Sequence, residues 1–181
     1  MQTQGAVAHT QRYDRNTIVF HWLTFALVVL QFAGAWTIDL FARGTPRVDA
    51  RSVHITLGCL LALVLLARIR WRLSRGRHLP PAGPGVLNRL ATVMHYALYA
   101  LLLAMVCVGV SLAWVRGDSL YGLFSLPSPA PGNHALSDQV QNIHATIGWV
   151  ILAAVGLHAA AALWHRLVLA DDVFGRMRPQ L

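Results

Sequence analysis

Four long stretches of the chain are almost continuously apolar, and short segments rich in turn residues separate them. They cover residues 17–38, 53–73, 90–115 and 139–168, and each reaches the roughly 20 helical residues needed to cross about 30 Å of hydrocarbon. Membrane-spanning strands would alternate polar and apolar positions, which these stretches do not. The pattern predicts an all-α chain of one domain, an integral membrane four-helix bundle.

Composition and charge agree with a membrane protein. Hydrophobic residues make up 56% of the 181 residues, charged residues only 12%, and the mean hydropathy is +0.51, which is too apolar for an ordinary soluble domain. The net charge of +8 would by itself suggest a nucleic-acid partner. However, the arginines cluster beside apolar stretches and no aromatic–basic surface accompanies them. We therefore expect a lipid bilayer around this chain and no nucleic acid.

The arginines also predict the orientation. Eleven of them fall on the side of the two termini and four on the other side, and short cytoplasmic loops carry the excess of basic residues. Both termini are therefore expected in the cytoplasm. Arg12 and Arg15 precede the first stretch as in a signal peptide, but this stretch is long for one and contains His21. We expect it to be retained.

Two cysteines, Cys59 and Cys107, stand alone inside apolar stretches. Neither belongs to a C-x-x-C-H motif for covalent haem attachment. We expect both to be small buried apolar side chains without a redox role.

Five histidines lie within the predicted spans, where ionisable side chains are costly and usually functional. A single one would be explained by a hydrogen bond to a neighbouring helix, but five favour ligands. Their depth along the helices sorts them into two groups. The inner layer, near the cytoplasmic ends, contains His21, His95 and His158, and the outer layer contains His54 and His144.

The spacing of the layers favours two flat cofactors. His144 and His158 are 14 residues apart, close to four helical turns, so their rings share a face about 21 Å apart. A zinc site would gather its ligands around one point. Haem held by two imidazoles fits better, and it leaves no open position, so the centre should transfer single electrons. His54 and His144 pair by depth, whereas His158 can pair with His21 or with His95.

A repeated motif, His-x-Thr-x-Gly, opens the second and fourth spans as HITLG and HATIG. Gly58 and Gly148 follow their histidines by one turn on the same face, where a macrocycle would press on the backbone. The alternative is that both glycines serve contacts between helices. Thr56 and Thr146 are expected to bond backbone carbonyl groups.

Several motifs together resemble the bacterial cytochrome b561 family of four-helix, dihaem membrane proteins. They are FHW, VHITLG, MHYALYA, IHATIG and GLHAAAALWH, followed by the tail DDVFGRMRP. The resemblance runs from Tyr13 to Pro179 and rests on the order and spacing of these motifs. It implies a multi-pass protein of the bacterial inner membrane that binds two non-covalent haem b groups.

The resemblance also implies the ligands. His21 and His158 would hold the inner haem iron, and His54 and His144 the outer one. His95 matches a histidine of the third helix that is not a ligand in family members, so it is a candidate partner of a propionate or a quinone.

Arginines near the two layers are candidate partners of haem propionates through bidentate contacts, Arg51 at the outer layer and Arg15 or Arg89 at the inner one. Ordinary charge beside the membrane is the alternative for each. Four arginines also form a basic outer mouth that weakly favours a small anion: Arg43, Arg47, Arg51 and Arg116.

The resemblance suggests a quinone-linked oxidoreductase, and one branch of the family oxidises periplasmic superoxide and reduces ubiquinone. Nothing in the sequence identifies the electron donor. One alternative is a cytochrome b subunit that anchors a larger dehydrogenase or hydrogenase, with a redox partner protein. Another is a metal or proton transporter, but the four spans contain no Asp or Glu, which such carriers commonly use.

Overall fold

The computed structural model describes residues 12–80 and 85–179, and its helices match the four apolar stretches in number and order. Helix α1 covers Arg15–Thr37, α2 Thr45–Ser74, α3 Val86–Arg116 and α4 His134–Leu167. Within the described residues, these four helices are long and apolar enough to cross a membrane. The predicted all-α fold is confirmed. A two-stranded hairpin, β1 (Ser119–Leu120) and β2 (Phe124–Ser125), lies between α3 and α4.

Helix α2 begins well before the predicted second span. Its first turn includes Pro46, which suits the start of a helix because the amide hydrogen that proline lacks would have no partner there. Helix α3 ends at Gly117, whose positive φ of 66° gives the left-handed cap that glycine adopts without strain. Asn133 begins α4 by accepting a hydrogen bond from the Leu136 amide at 3.0 Å.

The helices pack as two hairpins. Helix α1 packs on α2 and α3 on α4, with a smaller contact between α2 and α3. A set of buried apolar side chains, which we call the apolar band, joins the hairpins: Leu27, Val28, Leu61, Val64, Leu65, Leu102 and Ile151. On α4, Ile151 lies seven residues from each histidine, about two turns away. The band therefore lies midway between the two histidine layers.

The β-hairpin is fastened to the outer part of α2 through Ser52, which is fully buried. The Ser52 hydroxyl donates to the Val48 carbonyl at 2.7 Å and accepts from the Tyr121 amide at 2.8 Å. Beside it, the buried carboxylate of Asp118 accepts a hydrogen bond from Arg51 at 3.0 Å. These contacts fix the outer loop next to the outer layer.

Asp14 organises the opposite end of the bundle. Its carboxylate caps α1 by accepting from the Thr17 amide at 2.9 Å, and it also accepts from Trp71 Nε1 and from the Arg77 amide. Burial acts to raise the pKa of Asp14. The hydrogen bond from the Thr17 hydroxyl at 2.7 Å, together with those from the Arg77 amide, the Thr17 amide and Trp71, outweighs it and holds the pKa well below its ordinary value. One carboxylate thus joins α1, the end of α2 and the segment after it.

The tail after α4 returns to the same end as a short 3₁₀ helix, Phe174–Met177. Trp22 of α1 donates from its indole to the Met177 carbonyl at 2.8 Å. At the end of α4, His165 and Asp171 pair at 2.6 Å. Desolvation works against the Asp171 charge, yet the His165 hydrogen bond lowers the pKa of Asp171 below its usual range. His165 therefore has a structural partner at the edge of the bundle.

Cys59 and Cys107 differ from the sequence expectation. Both are exposed on the outer surface of their helices, not buried inside the bundle. Hydropathy does not separate the two environments, because lipid tails accommodate a small apolar side chain as readily as a protein core does.

Candidate functional site

The outer layer brings His54 of α2 and His144 of α4 together. Their ring centroids are 6.4 Å apart and their planes make an angle of 71°. Both rings are half-buried. The Nδ1 atoms of His54 and His144 are enclosed without a hydrogen-bond partner among the residues that the structure describes. Two imidazoles that converge from different helices are suited to binding a metal centre.

Each outer histidine also lies against a glycine of the other helix in its own hairpin. A β-carbon on Gly34 of α1 would lie 3.5 Å from His54 Nδ1, and one on Gly109 of α3 would lie 3.2 Å from His144 Cε1. The two contacts are equivalent in the two hairpins. Small residues at these positions let each imidazole approach the backbone of the neighbouring helix.

The inner layer contains three imidazoles. The centroids of His21 on α1 and His158 on α4 are 6.4 Å apart, and those of His95 on α3 and His158 are 5.2 Å apart. His21 and His158 are half-buried, whereas His95 is exposed. The Arg68 guanidinium lies 3.1 Å from His21 Nδ1. Because guanidinium can only donate, Nδ1 is the acceptor.

Helix packing distinguishes these contacts. The pairs His54–His144 and His21–His158 each join helices of different hairpins, α2 with α4 and α1 with α4, which do not pack closely on each other. His95 and His158 instead lie on α3 and α4, which pack directly. A metal between two imidazoles would lie about 2 Å from the nitrogen of each ring. Adding the distance from nitrogen to ring centre on both sides accounts for the centroid separation of 6.4 Å. The two cross-hairpin pairs therefore fit a haem between their rings.

A compact metal site does not form elsewhere in the parts of the chain that the structure describes. No group of three or more His, Cys or Asp side chains converges on one point in residues 12–80 and 85–179.

The two glycines of the repeated motif lie close to side chains of neighbouring helices. A β-carbon on Gly58 would lie 2.9 Å from Gln31 Nε2, and one on Gly148 would lie 3.5 Å from Met105 Cε. These contacts support the helix-contact alternative, and space for a macrocycle stays a prediction for both. The threonine expectation is confirmed. The Thr56 and Thr146 hydroxyls donate to carbonyls four residues earlier, both at 2.8 Å.

The arginines proposed for propionates have different surroundings. Arg51 is paired with Asp118 at 3.0 Å, so part of its binding capacity is already used. Arg15 and Arg89 are exposed, as ordinary charge beside the membrane would be. Arg68, by contrast, is half-buried against His21. In the sequence it is one of the eleven arginines on the side of the termini, and it was not assigned to the site.

Three further residues at the outer layer were missed from the sequence. Gly34 follows His21 by 13 residues and Gly109 follows His95 by 14. On α4, a similar interval of 14 residues separates His144 from His158 and places them in different layers. The same argument from depth would have placed both glycines at the outer layer. Asp118 gave no comparable signal, because its pairing with Arg51 depends on how the outer loop folds.

Several known proteins resemble this chain over nearly its whole length. The chain matches the family described as prokaryotic cytochrome b561 over residues 12–180. A probable superoxide oxidase CybB from Yersinia pestis is 29% identical over 94% of this chain and 97% of the relative. Cytochrome b561 homolog 2 of Escherichia coli strain K12 is 30% identical over 92% and 91%, and cytochrome b562 of Cereibacter sphaeroides is 27% identical over 93% and 96%.

These matches cover nearly the whole length of each protein, and they confirm the resemblance that the histidine motifs suggested. The family implies haem b binding and electron transfer, which four membrane-spanning helices and converging imidazole pairs can provide. The chain belongs to the prokaryotic cytochrome b561 family of electron-transfer membrane cytochromes.

Proposed function

We propose that this protein is a dihaem b cytochrome that moves electrons between the two sides of the bacterial inner membrane and exchanges them with quinone. The observation that carries the proposal is the pair of equal histidine separations, 6.4 Å each, at two depths of the bundle. Both lie between helices that do not pack closely on each other. Haem supplies reversible one-electron transfer at each layer.

The same geometry supports the ligand assignment that we propose. His54 and His144 hold the outer haem, and His21 and His158 hold the inner one. His95 is closer to His158 than His21 is, but it approaches from a directly packed helix, which leaves less room for a macrocycle. We therefore assign His95 to a hydrogen bond with a propionate or a quinone.

The chain's own residues orient these ligands and limit access to them. Gly34 and Gly109 admit the outer rings to the backbone of the adjacent helix, which restricts how far each ring can turn. The apolar band separates the layers with buried aliphatic side chains and excludes water from the space between them. Two histidines per iron would leave no coordination position for a substrate, so the haem would supply electron transfer and not substrate binding at iron.

Superoxide is the electron donor that we propose for the outer side. A similar protein is named a probable superoxide oxidase, and arginines surround the outer loops. Two superoxide anions would each give up one electron to become O₂, and one quinone would take these two electrons and two protons to become quinol. Arg47 and Arg51 are already paired with Asp39 and Asp118, so the attraction of the mouth for an anion rests mainly on Arg43 and Arg116.

The optical spectrum of the purified full-length chain, with haem quantified per chain, tests the cofactor assignment. We expect two protohaems with a low-spin reduced spectrum, and a colourless protein would refute the proposal. Alanine substitution of His54 or His144 should remove one haem and that of His21 or His158 the other. His95→Ala is the matched control and should retain two haems. Loss of a haem in this control, with retention in His21→Ala, would reverse the inner assignment.

Turnover by the isolated chain tests the reaction. Superoxide generated beside the protein should reduce the haems, and added quinone should reoxidise them with formation of quinol. An inert isolated chain that copurifies with a second polypeptide would instead favour an anchoring subunit of a larger dehydrogenase or hydrogenase.

A further inference from the structure

Arg68 places a positive charge inside the bundle at the inner layer. It lies on α2 and is half-buried. One guanidinium nitrogen is 3.1 Å from His21 Nδ1, and the guanidinium carbon lies 5.0 Å from the centre of the Tyr99 ring. Stacking on the Tyr99 ring holds the guanidinium in place. The hydrogen bond to Nδ1 belongs to the tautomer with its proton on Nε2, so it would be lost if Nε2 bound iron, and the stacking contact would remain. The charge is thus fixed beside one of the proposed ligands of the inner haem.

No carboxylate side chain balances this charge. All seven acidic residues of the chain are aspartates that lie within the described residues and outside the central parts of the spans: Asp14, Asp39, Asp49, Asp118, Asp138, Asp171 and Asp172. The ion pairs of the described residues involve Asp39, Asp118 and Asp171, and none includes Arg68. Guanidinium keeps its proton even when buried, so the inner layer carries a net positive field.

At the outer layer, a carboxylate balances the charge of an arginine. The nearest proposed arginine, Arg51, forms an ion pair with Asp118 at 3.0 Å, and the Asp118 side chain is only 7% exposed. The two opposite charges largely cancel at the distance of His54 and His144. The other arginine near His144, Arg116, is exposed, so solvent screens its charge. The protein therefore presents an unbalanced half-buried cation at the inner layer, whereas at the outer layer one arginine is neutralised and the other is screened by water.

We propose that Arg68 raises the reduction potential of the inner haem above that of the outer haem. The inference rests on the dihaem function proposed above. A haem carries one more positive charge when oxidised than when reduced, so a fixed neighbouring cation destabilises the oxidised form. The effect is strengthened because the bundle interior screens charge much less than water does. Electrons that enter at the outer haem then move toward the inner one.

A competing role for Arg68 is to bind a propionate of the inner haem. A propionate would neutralise the guanidinium, so its removal would weaken haem binding and change the potential little. Lysine retains the charge but not the planar fork that binds carboxylate at two points. Substitutions by lysine and by glutamine therefore separate a role of charge from a role in binding.

The test is a potentiometric titration of the full-length protein that follows the haem absorbance of each variant. In the wild type we expect two resolved midpoint potentials. His54→Ala, which keeps only the inner haem, should retain the higher one. Arg68→Gln should lower that midpoint and leave the lower one in place, whereas Arg68→Lys should keep most of the difference. Asp118→Asn should raise the lower midpoint, because it leaves the charge of Arg51 unbalanced.

The matched control is Arg70→Gln, which removes an exposed arginine of the same helix. Its charge is screened by solvent, so both midpoints should stay at their wild-type values. Two bound haems with unchanged midpoints in Arg68→Gln would overturn the proposal and leave the dihaem function intact. Loss of the inner haem from both Arg68→Gln and Arg68→Lys would also overturn the proposal, because lysine retains the charge.

The wild type provides a check that does not depend on any variant at position 68. If the inner haem of His54→Ala has the lower of the two wild-type midpoints, Arg68 does not set the order of the potentials and the proposal is wrong. A chain that binds no haem would refute this proposal together with the proposed function.

Discussion

Replacing Gly109 by alanine tests whether this glycine positions the His144 ring. The new methyl carbon would lie 3.2 Å from Cε1 and 3.6 Å from Nδ1 of His144, whereas carbon atoms in ordinary contact are about 3.5–4.0 Å apart. The ring must therefore move by roughly a few tenths of an ångström, more than the approximately 0.2 Å tolerance of a metal–ligand distance. Loss of groups that orient a metal ligand commonly costs about 10–100-fold in affinity, or about 1.4–2.7 kcal/mol.

The assay measures the haem content per chain and the affinity of each site as haem is added to the purified apoprotein. Gly109→Ala should lower the affinity of the outer site by about 10–100-fold and leave the inner site unchanged. Loss of helix stability would not explain such a result, because alanine favours a helix by about 1 kcal/mol over glycine. Gly34→Ala is the matched control, since its methyl carbon would lie at an ordinary contact distance of 3.5 Å from His54 Nδ1.

Two results would contradict this reasoning. One is a Gly109→Ala protein that binds both haems with wild-type affinity. The other is an equal loss of affinity in the two glycine variants, which would mean that any added methyl group disturbs the hairpins and that the 3.2 Å contact has no particular role.

Three further predictions concern the rest of the bundle. Asp14→Ala should destabilise the protein by about 1 kcal/mol or more through loss of the α1 cap, seen as a lower thermal midpoint in detergent. Folding lowers the pKa of Asp14, so the contribution of this carboxylate to stability is complete above the ordinary pKa of about 3.9. The contribution declines as the pH falls below that value. A free energy of unfolding that stays constant over this range would contradict the role of Asp14. Ser52→Ala should cost about 1–3 kcal/mol by leaving the Tyr121 amide unpaired, and faster proteolysis of the outer hairpin would reveal it, whereas a wild-type rate would argue against the contact. For Gly58→Ala, a haem loss that Gln31→Ala reverses would indicate crowding between helices, and a loss that persists in the double variant would indicate contact with the macrocycle.

The helices and the depth of the histidines were predictable from the sequence because a membrane fixes the length and register of its spans. Once the direction of each helix is assumed, residue numbers translate into depth, and His54 and His144 fall in one layer. The rotation of each helix about its axis is less constrained, since lipid accepts apolar side chains on any face. The predicted burial of Cys59 and Cys107 was wrong for that reason. The Arg68 side chain points into the bundle because of the same rotation, so its contact with His21 was not predicted.

The choice of a partner for His158 at the inner layer shows a second limit of prediction from the sequence. Depth alone left His158 with two possible partners, His21 and His95, and the resemblance favoured His21. The helix contacts add an independent physical reason, because α4 packs on α3 but not closely on α1. Information of this kind depends on which helices become neighbours, and a periodic apolar pattern does not encode it.

The band of aliphatic side chains between the histidine layers also has an electrical consequence. Leu65 and Ile151 are almost completely enclosed there, and the central parts of the spans contain no acidic residue that would accept a proton. An electron passing between the layers would therefore travel without a proton beside it. Each transfer would move net charge through the insulating part of the bilayer, with or against about 2.3 kcal/mol per 100 mV of membrane voltage. The rate of such a cytochrome should respond to the voltage of the membrane that holds it.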